Sequence, residues 1–428
     1  MALDLTRLRI DQRRFRNHFE ALARIGATPE GGANRPALGE LDLQARNWLR
    51  EKITRSHLAF AGDPAGNQSA ILHGSEKKTP HLILGSHLDT VPEGGRFDGA
   101  LGVLAALEVL LTLKAADYVP PIALEAINFT DEEGTHIGTL GSRAITGRLT
   151  EDDLQHPFQG LPAFDSGLAR IGLSRQSVLQ ARRPADRIAG YLELHIEQGP
   201  ILAEGSFDIG IVTAIVGIGR LTLQFRGRAD HAGTTPMALR HDAGRASGIF
   251  VAKVWDFLPA SFPDCVINIG DMQFYPGTFN VVPHTVDLDL EYRAPDARQL
   301  ADLQKALIGL AQDAARECRV ALETGPAETS PAVSMDRRLQ DQFARAAKRL
   351  GLRHHRMPSG AGHDAQSFAD VCPSGMIFIP SMDGRSHGPD EHSHWEDCVN
   401  GANLLLHAAL EVAETFRNTP DKKPHPRS

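Results

Sequence analysis

The chain has 428 residues, 42% of them apolar, which is enough for a sizeable core and for two or three domains. Its formal net charge is -8, with 45 basic against 53 acidic residues and no Lys/Arg-rich tract, so neither a nucleic-acid nor a membrane-surface partner is expected. The charged start MALDLTRLRIDQRRFRNHF lacks a secretory apolar segment, no run is long enough to span a bilayer, and Cys265, Cys318, Cys372 and Cys398 form no CxxC pair; reduced thiols and a cytoplasmic location are expected.

Helical patterns open the chain at 11–25 and 39–56. Extended runs at 80–86, 121–130 and 189–197 then alternate with a helix at 99–114, while 150–188 is irregular with short helical candidates. Strands alternating with helices predict an α/β unit with a mostly parallel central sheet. From 211 the texture changes: IVTAIVGIGRLTLQFRGRA is strand-rich and PMALRHDAGRASGIFVAKVWDFL helical. Extended VINIGDMQF, GTFNVVP and TVDLDLEYR follow, then a helix at 296–318. This predicts a smaller α+β domain with an antiparallel sheet over 211–325, inserted into a discontinuous domain of 1–210 and 326–428. A helix at 336–350, the strand MIFIP and a helix at 399–416 complete the larger domain, and the tail NTPDKKPHPRS reads as disordered.

Ligands of open α/β sheets bind at the carboxyl ends of strands. Four such ends here carry acids or histidines: His87, Asp89 and Asp98 in GSHLDTVPEGGRFDGA, Asp131-Glu132-Glu133 in FTDEEGT, His195 in YLELHIEQGP, and Asp383, His387, Asp390, Glu391, His392 and His394 after MIFIP. Each has a plainer reading. Asp98 could cap the following helix, Glu132-Glu133 could be a solvated turn, His195 a satisfied core histidine, and His392 and His394 surface residues. Convergence of four strand ends favours a metal site. Imidazole and carboxylate without thiolate suit Zn, Mn, Co or Ni, and a bridging carboxylate would allow two ions. Asp89, two residues from His87, is placed to accept from the ring's second N–H. One glutamate of the 132–133 pair can serve the metal and leave the other as general base.

GSHLDTVPEGGRFDGALGVLAALEVL, FTDEEGT, ELHIEQGP, GRADHAGTTPMALRHDAG and GRSHGPDE occur in one order across about 14–416. Together they resemble the M20-type amidohydrolases, in the branch of N-carbamoyl-L-amino-acid hydrolases, yeast-type β-ureidopropionases and allantoate amidohydrolases. The resemblance implies two divalent ions per subunit, a di-metal catalytic domain, a lid that also forms a homodimer, and hydrolysis of a carbamoyl or related C–N bond in a small carboxylate-bearing substrate. It implies His87, Asp98 and His195 as ligands of one ion, with Asp98 as bridge, Glu133 and His387 for the other. Glu132 would be the general base, and Asp89 would support the ligands. His231, acting from the neighbouring subunit, would stabilise the oxyanion. Gln198, Asn280 and Arg293 would contact the substrate, and Gly362 and His363 of SGAGHD would line its pocket. N-acyl-amino-acid amidases and dipeptidases share such a site. Two loops depart from the family pattern: GTHIGTLGSRA after Glu133 is shorter than usual, and GPDEHSHW replaces an NPAEW-like continuation.

Overall fold

A computed structural model describes residues 4–76 and 79–417, so the tail expected to be disordered lies outside the described residues. The chain divides into two compact units, Met1–Thr213 with Met335–Met357 and Ala361–Ser428, and Ala214–Ser334 with Pro358–Gly360. The division falls a few residues from the sequence-based one at the start of the insertion and extends it past 325 to Ser334.

At the centre of the larger unit's sheet, Ala123–Phe129, His81–His87, Ile188–Ile196 and Ser374–Ile379 lie side by side in parallel. These strands are almost wholly buried, which explains their near-continuous apolar character. The flanks are antiparallel: Gln68–Leu72 pairs with Ala123–Phe129, and Ile209–Ile215 pairs with Ser374–Ile379. Parallel pairing therefore holds at the core of the sheet, which as a whole is mixed.

Helix Ala100–Ala115 is buried on every face from Ala100 to Leu113, so its sequence shows no amphipathic stripe. Gly102 makes that possible, since a Cβ there would drive into the main chain at Leu194 and the side chain of Ser86. Truncating a buried leucine such as Leu104 or Leu110 to alanine would cost about 2–5 kcal/mol. The final helix, Trp395–Glu414, joins the same core and starts four residues earlier than its sequence pattern suggests. All four cysteines are buried and free.

In the smaller unit the antiparallel sheet runs Ala321–Thr324, Gly217–Arg226, Thr285–Ala294, Val266–Tyr275. Leu221, Leu223 and Phe225 alternate with exposed or half-buried residues, as do Val286, Leu288 and Leu290, and this inner face packs on helices Ala243–Ser261 and Ala297–Cys318. Asp242 and Asp296 cap those helices through the main-chain N–H of Arg245 and Gln299. Asp242 thereby starts the first helix well after Pro236, where the apolar pattern alone had begun it. GTFNVVP is not a strand. It is a loop tied by one bridge between Val281 and His231, bounded by Pro276 and Pro283, which cannot donate to a ladder.

Candidate metal centre

The ends of three parallel strands and two loops place His87, His195, Asp98, Glu133 and His387 together. His87 closes strand His81–His87, and His195 is the penultimate residue of Ile188–Ile196. Asp98 precedes the buried helix, but Gly99 is the capping residue there and the Asp98 carboxylate caps nothing. Instead its Oδ1 lies 3.1 Å from His195 Nε2 and 3.4 Å from His87 Nε2, and its Oδ2 lies 3.4 Å from His387 Nε2. Glu133 Oε2 lies 3.6 Å from His387 Nε2. Two donor groups share Asp98, His87/Asp98/His195 and Asp98/Glu133/His387, each with its ligand atoms within 4.8 Å of one another, and a third such group, Glu193/His195/His363, shares only His195.

The hydrogen bonds orient the donors for a cation. His87 Nδ1 is 2.9 Å from the main-chain oxygen of Asp89, and His195 Nδ1 is 2.9 Å from that of Ile196. With each Nδ1–H donated to a carbonyl, each Nε2 presents a lone pair toward the Asp98 carboxylate. The N–H of Gly99 donates to His195 Nε2 at 3.3 Å, consistent with that lone pair. Lone pairs facing carboxylate oxygens at these distances repel unless a proton or a metal ion lies between them. Glu133 Oε1 is likewise buried without a hydrogen-bond donor among the described residues. The donor set fits a divalent cation.

Electrostatics agree. Burial pushes Glu132 well above the usual carboxylate range, with Asp364, Glu133 and Asp98 adding to it against the pull of His87. Burial and the neighbouring Asp98 lift Glu133 to about 7. Its hydrogen bond to Asp98 raises His387 to about 9. For Asp98, burial is outweighed by His195, His387 and His87, which hold it well below its ordinary value. Glu132, Glu133 and His387 here all hold protons more tightly than usual, a place where a bound cation could substitute for those protons.

Asp89 departs from its expected role. Its carboxylate is 3.8 Å from His87 Nδ1, beyond hydrogen-bond reach, because its own main-chain oxygen already takes that proton. The carboxylate instead accepts from the N–H of Glu132 at 3.4 Å and of Glu133 at 3.2 Å, so it aligns the two glutamates. Glu132 Oε2 sits 3.5 Å from His87 Nε2, beside the first donor group without belonging to either. Gln198 donates to Asp98 Oδ2 at 2.7 Å. His363 is buried with its ring 4.5 Å from that of His195, and adjacent Gly362 is exposed.

Three expected substrate contacts lie in the smaller unit. His231 is exposed, and its Nδ1 accepts from the N–H of Gly233 and Thr234 at 3.1 and 3.2 Å, which leaves Nε2 as the proton-bearing nitrogen. Asn280 is brought beside it, its carbonyl accepting from Ala232 N–H at 2.9 Å. The Arg293 guanidinium is already engaged: Nε and Nη2 donate to Glu291 Oε1 at 2.9 and 2.6 Å, and Nη1 to the Gly360 carbonyl.

Two supports of the centre were not given that role from the sequence, although Glu391 stood among the candidate donors of the fourth strand end. Glu193, on the strand of His195, accepts from Ser86 Oγ at 2.8 Å and from Ala365 N–H at 3.1 Å. Glu391 accepts from the N–H of Phe97 and Asp98. For Glu193 the signal was its place two residues before His195 on a buried strand.

Residues 83–411 match the family described as peptidase family M20/M25/M40. The chain is 35% identical over 396 residues to an N-carbamoyl-L-amino acid amidohydrolase of Geobacillus stearothermophilus, covering 92% of this chain and 96% of that protein. It is 32% identical over 411 residues to a ureidoglycolate hydrolase of Arabidopsis thaliana, covering 93% and 86%. A crystal structure of a hydantoinase/carbamoylase family amidase from Burkholderia phymatum superposes with a TM-score of 0.85 at 35% identity, covering 96% of this chain and 99% of that one. No helix among the described residues is long and apolar enough to cross a membrane. The chain thus belongs to the M20/M25/M40 family, whose members are metal-dependent amidohydrolases and peptidases, and its clustered imidazoles and carboxylates are groups that could bind the metal.

Proposed function

We propose that this chain hydrolyses the carbamoyl C–N bond of N-carbamoyl-L-amino acids or β-ureido acids, giving amino acid, carbon dioxide and ammonia, with two divalent ions drawn from Zn, Mn, Co or Ni. The observation that carries the reading is Asp98, whose two carboxylate oxygens face different histidine sets while Glu132 stays outside both donor groups. Such ions, when bound, acidify water and polarise a scissile carbonyl.

His87, Asp98 and His195 would hold one ion, and Asp98, Glu133 and His387 the other. Glu132 removes a proton from the attacking water and returns it to the departing nitrogen, a role suited to a buried carboxylate whose proton affinity is raised. Asp89 holds the main chain of Glu132 and Glu133 in place. His231, supplied by a second copy in a homodimer, offers Nε2–H to the developing oxyanion. Arg293 and Asn280 meet the substrate's carboxylate end, while Gln198, Gly362 and His363 line its reacting end. Allantoate or ureidoglycolate is the second reading for the substrate, supported by the resemblance and by the similarity to the Arabidopsis thaliana enzyme. An N-acyl-amino-acid amidase or dipeptidase on the same centre is a third.

The test is a substrate panel on chelator-stripped protein reconstituted separately with Mn, Co, Ni and Zn. It should include N-carbamoyl-L-amino acids, N-carbamoyl-β-alanine, allantoate, ureidoglycolate, an N-acyl amino acid and a dipeptide. Highest kcat/KM on a carbamoyl amino or β-ureido acid is expected. Preference for another substrate refutes the substrate assignment, and no turnover on any refutes the hydrolase reading.

A further inference from the structure

Glu391 is 4% exposed, yet among the ion pairs of the described residues none joins it to a Lys or Arg. Burying an unpaired carboxylate is costly unless hydrogen bonds satisfy it. Here Oε1 accepts two main-chain donors, the N–H of Phe97 at 2.8 Å and of Asp98 at 3.0 Å. Oε2 accepts from Ser386 Oγ at 2.8 Å. Ser386 directly precedes His387, and its Oγ also lies 3.2 Å from Asp98 Oδ2, so its single proton can serve either carboxylate. The loop opposite is shaped around this group: a Cβ at Gly95 would overlap the Glu391 carboxylate. One side chain thus joins two loops almost 300 residues apart in sequence, one carrying Asp98 and the other His387.

The metal reading makes that join consequential. Asp98 and His387 are donors of the same group, and their 3.4 Å separation depends on two loops with no strand pairing between them. The His387 loop has ties of its own, such as Met382 N–H to the His392 carbonyl at 2.8 Å, but His387 itself has φ +55° and a half-exposed ring. By holding the main-chain N–H of Asp98, Glu391 fixes where that carboxylate begins; through Ser386 it fixes where His387 begins.

We infer that Glu391 is a positioning residue for the Asp98/Glu133/His387 metal position, acting through the N–H of Asp98 and the hydroxyl of Ser386 without touching ion or substrate. This rests on the metal reading above.

The test uses full-length protein, stripped of metal and titrated with Co²⁺ by calorimetry and visible absorption, for wild type, Glu391→Ala, Glu391→Gln and Ser386→Ala. Wild type should take up two Co²⁺. Glu391→Ala should bind the weaker-held Co²⁺ about 10–100-fold less tightly, the range typical of lost supports to metal ligands, with a shifted visible band. Glu391→Gln, which keeps an oxygen for both N–H groups, should recover most of that affinity, and Ser386→Ala should fall between. A folded Glu391→Ala protein with wild-type Co²⁺ affinities and spectrum overturns the inference. If Glu391→Ala does not fold, wild-type titrations from both Glu391→Gln and Ser386→Ala overturn it equally. A wild-type protein that takes up no Co²⁺ instead overturns the metal reading itself.

Discussion

Gly99→Ala tests the centre without removing a single ligand. Gly99 has φ +63° and ψ -49°, a conformation in which a Cβ is strained, and that strain alone costs about 1–2 kcal/mol. The added Cβ would also stand 2.5 Å from His87 Nδ1 and Nε2. Ordinary carbon contacts begin near ~3.5 Å, so the ring would have to retreat by about 1 Å. It is buried and held by the Asp89 main-chain oxygen at 2.9 Å, so retreat means leaving its alignment on Asp98. Metal ligands tolerate errors of about 0.2 Å, so the His87/Asp98/His195 position should lose one donor outright. On the proposed two-ion reading, metal content after reconstitution, measured by inductively coupled plasma mass spectrometry, should fall from two ions per chain to one, and kcat/KM should fall about 100-fold or more. The folded variant should keep its far-UV circular dichroism. A Gly99→Ala protein with wild-type metal content and wild-type turnover would refute the packing argument and with it the placement of His87.

Glu132→Gln should retain both ions yet lose about 10²–10⁴ in kcat, because only proton transfer is removed; lost metal content would count against its role as base. Arg293→Ala should lower kcat/KM about 10–150-fold (about 1.5–3 kcal/mol) for carboxylate substrates and little for their amides, and equal losses on both would show that the guanidinium serves Glu291 and Gly360 alone. Toward the amino end of the parallel strands, Glu125 accepts from Arg183 at 2.7 and 2.8 Å, from Ser69 at 2.6 Å, and meets His81 at 2.7 Å. Burial works against its ionised form, but His81 and Arg183 prevail and lower it from 4.5 to about 2. A depressed carboxylate contributes stability above its unfolded pKa and loses it as pH falls through the folded one. Wild type should therefore lose on the order of 3 kcal/mol from this group between about pH 4.5 and 2. In urea unfolding, Glu125→Gln should start less stable at neutral pH and show a shallower acid limb; parallel acid limbs would defeat the assignment.

The chain showed in advance those features that depend on local order along it. Strand and helix periodicity located the elements, and donors at four strand ends located the centre, because parallel topology gathers such ends wherever it occurs. What stayed hidden depends on atoms near in space but free of any spacing rule. Two-residue separation suggested that the Asp89 side chain would meet His87, yet the main-chain oxygen of the same residue took the proton and released the carboxylate to the glutamates. Glu391 stood in view within SHGPDE, but its partners lie 293 and 294 positions earlier. The same holds for Arg293, whose guanidinium looked available until Glu291 was seen to occupy it. In GTFNVVP, apolar residues mimicked a strand that the flanking prolines forbid.

Asp98 belongs to both donor groups, and on the two-ion reading proposed above this makes the two positions one thermodynamic system. Whatever binds at one alters the charge and direction of a carboxylate that the other also uses, so each occupancy must change the affinity of the other by the same factor. Stripping and refilling should therefore follow coupled isotherms, and the stepwise constants belong to the pair, not to either ion. A mixed-metal protein would be defined by the order of addition only until exchange is complete, after which reciprocity alone sets its composition.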